Sequence, residues 1–243
     1  MKAPVIDYSI VTVSRPVNYI ETLVEQLPNN QVKRVFVGSL GTGYLSNISR
    51  KPLVSIHVPT PEEWKDFKPF SVFQRATWNY WRALACIPHV AGRDGLLVFE
   101  DDVLPAVNWR EHLEEAVTAI AAEGTTQFVL ALYSSRRHAA INQDKPFTTY
   151  PTHLFAGTQA VYYPESVRSN FAAFLFEHGV KTNEAPYDML LAEFAARHSI
   201  PIFLTVPVLV QHIGRIGTGL GEFHQAPDFQ FYLQPLCRSG RQT

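Results

Sequence analysis

The stretch VFEDDVLP, residues 98–105, sets three adjacent carboxylates, Glu100, Asp101 and Asp102, directly after a continuously apolar run at 96–99. Three neighbouring negative charges repel one another, so such a cluster is comfortable only when something positive meets it. A hard divalent cation does this through oxygen ligands, and Mg²⁺ and Mn²⁺ are the cations such ligands suit. The same cation can hold a diphosphate and absorb the charge that builds on it as it leaves. The alternative is an acidic strand-to-loop turn in which Asp101 or Asp102 satisfies backbone amides.

Two further groups extend this chemistry. The strand-like run VPVLVQHIGRIG (206–217) delivers His212, a common metal ligand, followed by glycines at 214, 217, 219 and 221 that let backbone approach phosphates. Arg215 beside it can meet a phosphate through paired N–H donors. The run NEAPYDMLLAEF (183–194) has Pro186 at a helix start, which puts Asp188 in the first turn above an apolar base. Asp188 there either complements the helix dipole or acts as a general base held by a rigid element. His212 has its own alternative, a satisfied core histidine before a loop.

The elements that must carry these residues alternate along the first 130 residues. Strands are expected at 5–13, 33–40, 53–58 and 95–99, the last apolar throughout as in strands buried on both faces. Helical stripes fall between them: Tyr19, Leu23, Val24 and Leu27, then Phe73, Thr77, Tyr80, Trp81 and Leu84. Asn108 is expected to cap a helix that Gly124 stops. Strands at 127–134 and 153–164 follow, then helices opened by Pro164-Glu165 and by Pro186, and an extended segment at 200–214 broken by Pro207. This order predicts an α/β fold with three layers and a central, mostly parallel sheet. In such a sheet ligands gather at the carboxyl ends of the strands, where the acidic run falls. A single domain is expected, with a nucleotide-binding half at about 1–130, a catalytic half at about 131–220, and a tail at 221–243 that could fold over the site as a lid through Phe223, His224 and Phe229.

Composition bounds the partners. The chain of 243 residues carries 21 basic and 22 acidic residues, so no global field selects nucleic acid or an anionic membrane. Two cysteines make no disulfide framework; Cys86 reads as a small buried hydrophobe and Cys237 lies in a polar tail. No apolar run is long enough to cross a membrane and the start lacks a signal core. A cytoplasmic protein is expected. The four tryptophans, at 64, 78, 81 and 109, read as core.

Taken together, LLVFEDDV at a strand end, PYDMLLAEF downstream and VLVQHIG after that resemble the metal-dependent GT-A glycosyltransferases, a Rossmann-like fold, and most closely the N-acetylglucosaminyltransferase IV-like group. The resemblance implies an inverting enzyme that moves a sugar from a UDP-sugar, UDP-GlcNAc among the candidates, to a hydroxyl of a glycan or other acceptor. It implies that Asp102 and His212 bind Mn²⁺ or Mg²⁺, that Glu100 and Asp101 belong to the DXD-type motif with Asp101 on the ribose or the metal's water shell, and that Asp188 is the base. Thr12, Ser14 and Arg15 would then form the nucleotide pocket, Arg75 and Asn79 would touch the diphosphate or sugar, and Gly157 and Thr158 would lie under the donor sugar.

Three rival activities share parts of this pattern. A nucleotidyltransferase would want a Gly-rich phosphate loop after the first strand, and TVSRPVNY (12–19) has no glycine. A phosphohydrolase would want a second acidic metal cluster, which the sequence does not offer. A nucleotide- or sugar-binding protein without catalysis would keep the pocket alone.

Overall fold

The computed structural model describes residues 3–88, 92–136, 144–183, 185–215, 223–227 and 229. Four strands form its first half: β1 (Ile6–Thr12), β2 (Lys33–Val37), β3 (Val54–His57) and β4 (Gly95–Glu100). The second half adds β5 (Val103–Pro105), β6 (Val129–Ala131), β7 (Phe147–Thr149), β8 (Ala160–Pro164), β9 (Ile202–Thr205) and β10 (Val210–His212). Eight of these strands make one sheet in the order β3-β2-β1-β4-β8-β6-β9-β7. The β3, β2, β1 and β4 neighbours are parallel, β8 runs against both β4 and β6, β9 is parallel to β6, and β7 closes the far edge antiparallel. The sheet is thus mostly parallel, as the alternating pattern requires.

The helices are α1 (Ile20–Gln26), α2 (Pro61–Phe67), α3 (Val72–Ala85), α4 (Trp109–Ala122), α5 (Glu165–Leu175) and α6 (Tyr187–Arg197). Strand alternation puts them on both faces. Tyr8 meets the Trp109 ring of α4 edge-on, while its neighbour Ser9 donates to the Ala83 carbonyl of α3. Leu96, Leu97, Val98 and Phe99 of β4 are buried between those layers. Each such side chain contributes about 1.5–3 kcal/mol when withdrawn from water. Polar links fix α3 over the carboxyl ends of the first strands. Asn79 donates to the Phe36 and Thr12 carbonyls, and Arg82 donates to the carbonyls of Val37 and His57.

Several expectations are corrected. The strand foreseen at 153–164 begins only at Ala160, so Gly157 and Thr158 sit in the loop before it. Asn108 occupies the start of α4, but with φ 58° and no side-chain cap bond, whereas Gly124 at φ 82° does end that helix. Cys86 is exposed at the end of α3 rather than buried. The segment at 200–214 is two strands, and β10 leaves the main sheet to pair antiparallel with β5. Trp78 and Trp109 are core, while Trp81 is partly buried against it. Among the described residues no helix is long and apolar enough to cross a membrane.

Candidate active site

Glu100 is the last residue of β4, and Asp101 and Asp102 form the turn that follows it, so each of the three carboxylates meets its own set of partners. Glu100 Oε1 accepts from the Thr158 and Tyr187 hydroxyls, both at 3.0 Å. Asp101 accepts from the Thr12 hydroxyl and forms an ion pair with Arg15. Asp102 Oδ2 takes the other arm of the same guanidinium at 2.6 Å and lies 3.2 Å from His212 Nε2. Arg15 therefore bridges two carboxylates, and each member of the acidic run has partners of its own.

Burial sets the charges. It pushes Glu100 up to about 7, with the Asp102 charge adding and the two hydroxyls pulling back. It also pushes Asp101 up to about 7 against the attraction of Arg15. At Asp102 burial works the same way, but the His212 hydrogen bond and the Arg15 guanidinium outweigh it and hold the carboxyl below its ordinary value. His212 is the mirror case: burial lowers it, the Asp102 bond outweighs burial, and the imidazole is raised. Arg15 is raised too, its two carboxylates overcoming desolvation. One buried guanidinium and the His212 imidazole thus hold Asp102 toward its charged form, while Glu100 and Asp101 are shifted toward their protonated forms.

The short β5–β10 ribbon makes the Asp102–His212 meeting. Its register sets His212 opposite Val103, and Ile213 donates its N–H to the Asp102 carbonyl at 2.9 Å. A methyl group on Gly214 would lie 2.1 Å from Asp102 Oδ2, so only glycine lets the ribbon pass this close. Behind the ring, His212 Nδ1 donates to the His224 carbonyl at 3.2 Å, which leaves Nε2 as the nitrogen facing the site. The chain at 224–226 is tied here, with Gln211 and Ala226 exchanging hydrogen bonds and Tyr133 donating to the His224 carbonyl.

Asp188 approaches from the other side. Its carboxylate accepts the Gly157 N–H at 3.2 Å and the Met189 N–H at 2.9 Å, which fixes its orientation. Gly157 has φ 88°, a conformation that aims its N–H at the start of α6. Tyr187 anchors that helix end. Its ring stacks on Tyr80 at 4.7 Å and its hydroxyl reaches Glu100.

These groups line one cavity of about 290 Å³. Of the residues the sequence singles out, Thr12, Arg15, Asn79, Glu100, Asp101, Asp102, Gly157, Thr158, Asp188 and His212 are brought together there. Three are not. Ser14 is exposed and off the cavity wall, Arg75 spends its guanidinium on the Lys68 and Phe70 carbonyls, and Arg215 stands exposed over the Phe223 ring. Thr12 is turned to Asp101 and also lies near the Tyr44 hydroxyl, and Asn79 is committed to backbone through its amide nitrogen. Phe229 is core, Phe223 lines the cavity, and the glycines at 217, 219 and 221 and Cys237 lie outside the described residues.

Sequence reasoning missed Tyr187, Gln159 and an apolar rim of Phe73 and Met189. The rim had a usable signal. Both residues sit on helix positions adjoining the singled-out polar groups, and both stay exposed, at 43% and 59%.

Whether these residues suit a divalent cation is decided by their own chemistry. Among the described residues no group of three or more His, Cys, Asp or Glu side chains is arranged to hold a metal. Asp102 Oδ1 is nonetheless buried with no hydrogen-bond partner, beside a histidine whose second nitrogen is anchored on a carbonyl. A carboxylate and a carbonyl-anchored imidazole fit Mn²⁺ or Mg²⁺, with remaining positions open to phosphate or water. Compared with known proteins, the chain matches no family model and no curated protein sequence.

Proposed function

We propose that this chain is an inverting glycosyltransferase of the GT-A type that transfers a sugar from a nucleoside diphosphate donor, a UDP-sugar first among the candidates, to a hydroxyl acceptor. The observation that carries the reading is the convergence of a buried carboxylate–imidazole pair, Asp102 and His212, and a separately held carboxylate, Asp188, on opposite sides of one cavity at the carboxyl end of β4. Asp102 and His212 would hold a divalent cation, which when bound would supply positive charge for a departing diphosphate. Asp101 and Thr12 offer paired oxygen and hydroxyl groups for a ribose, and Asn79 Oδ1, buried without a partner, offers a further acceptor on the same wall. Asp188, its lone pairs oriented by two backbone N–H groups, takes the proton from the acceptor hydroxyl as that oxygen bonds to the anomeric carbon. The bond to the diphosphate breaks on the opposite face, which inverts the centre. Phe73, Met189 and Phe223 give the mouth an apolar lining against which the less polar face of a sugar can lie.

The test separates binding from transfer. A thermal-shift panel of nucleotide sugars, with Mn²⁺ or with chelator, is expected to find one donor whose stabilisation needs the metal, about 2.7 kcal/mol at a hundredfold excess over its Kd. Asp188→Asn is then expected to keep that shift and lose turnover by about 10²–10⁴-fold, the range a positioned general base supplies. Near-normal turnover in that variant would remove Asp188 from the role. One observation favours a second reading, a nucleotide- or sugar-binding protein without catalysis: Arg15 already supplies counter-charge to both Asp101 and Asp102. Donor stabilisation indifferent to metal, with no transfer to any acceptor, would select it.

A further inference from the structure

Lys33 opens β2, and its place in the fold is unusual for a lysine. The residue is 2% exposed, between strands β1 and β3, and its backbone N–H is used by the Leu53 carbonyl. Among the described residues no hydrogen bond or ion pair meets its ammonium. Lysine is almost never buried this deeply without a partner. The Lys33 side chain lines a cavity.

That cavity measures about 210 Å³ and lies at the amino ends of β2 and β3, opposite the carboxylate run. Val24, Pro52 and Val54 supply apolar wall, while Lys33, Lys51 and Asn29 supply N–H donors. Glu25 also borders it, but its carboxylate is turned to Lys51 at 2.9 Å and is 63% exposed. The neighbouring charge felt at Lys33 is the positive one of Lys51. The cavity thus gathers two ammonium groups and an amide against one carboxylate that is turned outward to Lys51.

We propose that this cavity binds a phosphate-class oxyanion between Lys33 and Lys51, at a site separate from the candidate active site and independent of the activity assigned to it. A tetrahedral oxyanion would accept from both ammonium groups and from the Asn29 amide. Lys33 is the specifying group because it has no other partner; Lys51 is shared with Glu25. The site adjoins α1 and the amino ends of β2 and β3, which contribute no residue to the candidate active-site cavity, so an anion here would stabilise the sheet edge without touching the reacting groups.

The experiment uses the full chain and inorganic phosphate, with chloride at matched ionic strength as reference and acetate as the carboxylate arm. The melting temperature is expected to rise saturably with phosphate and not with acetate. In Lys33→Met, which keeps the chain's bulk and removes the charge, the rise should vanish; in Lys51→Met it should shrink. Trace acetylation of the wild-type protein, read by mass spectrometry, gives a second measure that needs no variant. At about ten times the phosphate Kd, Lys33 modification should fall roughly tenfold, while exposed Lys181 is unchanged. Three results would overturn the proposal: a phosphate shift no larger than chloride's, a shift retained in Lys33→Met, or acetate acting where phosphate does not. If Lys33→Met fails to fold, unprotected Lys33 acetylation in the wild type overturns it equally.

Discussion

The two ends of the parallel strands treat buried charge in opposite ways. At the carboxyl ends of β1 and β4, Asp101, Asp102, Arg15 and His212 are all withdrawn from water, and each meets a partner of opposite sign or a hydroxyl. At the amino ends of β2 and β3, Lys33 is 2% exposed, and among the described residues no hydrogen bond or ion pair meets its ammonium. A charge inside a protein is tolerated when it is paired and costs stability when it is not. The first arrangement pairs its charges internally, though Asp102 Oδ1 and Arg15 Nε keep no hydrogen-bond partner. The second sets two ammonium groups on one cavity with Glu25 turned to Lys51. Both are consistent with binding, but the first holds its ligand in competition with its own ion pairs, whereas the second has no internal competitor at Lys33.

The largest expected effect breaks the paired end. Arg15→Met strands two buried carboxylates and is expected to cost about 3–5 kcal/mol in the absence of metal, measured by denaturant unfolding. A loss under 1 kcal/mol would mean that water reaches the acids and that the end is not a closed network. Next comes Gly214→Ala, whose added methyl would fall against Asp102 Oδ2. Displacing the ribbon should cost about 1–3 kcal/mol and weaken any metal-dependent donor binding; unchanged donor affinity would separate the ribbon from the site.

Smaller changes probe the unpaired end. In phosphate-free buffer, Lys33→Met is expected to raise stability by roughly 0.5–2 kcal/mol, the gain available where a costly position is relieved. A loss instead would show that the ammonium has a stabilising partner. The smallest signature is a pH slope. Burial first, then Lys51, lowers the Lys33 pKa below its ordinary value of 10.5. Between the lowered value and 10.5 the unfolded chain holds more protons, so stability from this group rises with pH. The wild-type minus Lys33→Met difference should therefore shrink as pH approaches 10.5, with Lys51 and Glu25 the charged groups facing the same cavity. A flat difference would show that Lys33 keeps its ordinary pKa.

Legibility followed the same division. The strand β4 was readable because a run apolar on both faces can be satisfied only inside a sheet, and its sudden acids then had to lie at a strand end. His212 and Asp188 were readable for a similar reason, as polar groups placed where an apolar pattern stops. Lys33 was not, because a lysine at a strand start reads as a solvated edge, and only the packing of Val24, Pro52 and Val54 over it makes it otherwise. The strands β5 and β10, three residues each, are too short to show a period, so their pairing, which brings His212 to Asp102, could not be foreseen. Arg75 shows the converse error: helix spacing placed it beside Asn79, but spacing says nothing of which carbonyls a long side chain will find. Helix α2 was missed although Thr60-Pro61-Glu62-Glu63 carries a capping box, which the structure forms in full.

The β5–β10 ribbon has a kinetic meaning as well. Asp102 and His212 are 110 residues apart in the chain, and their contact closes a loop spanning α4, β6, β7, β8, α5, α6 and β9. Closing a flexible loop of that length costs about 4 kcal/mol of chain entropy before any contact repays it. Nucleation is therefore favoured among the local strand–helix–strand units, and the ribbon zips late. In pulse-labelled hydrogen exchange, the Ile213 amide, which donates to the Asp102 carbonyl, should gain protection after the amides that pair β1 with β2, whose contacts span only 25 residues. A folding chain would pass through a stage with β1, β2 and β3 paired and its acids still open to water, and would bring His212 to them later.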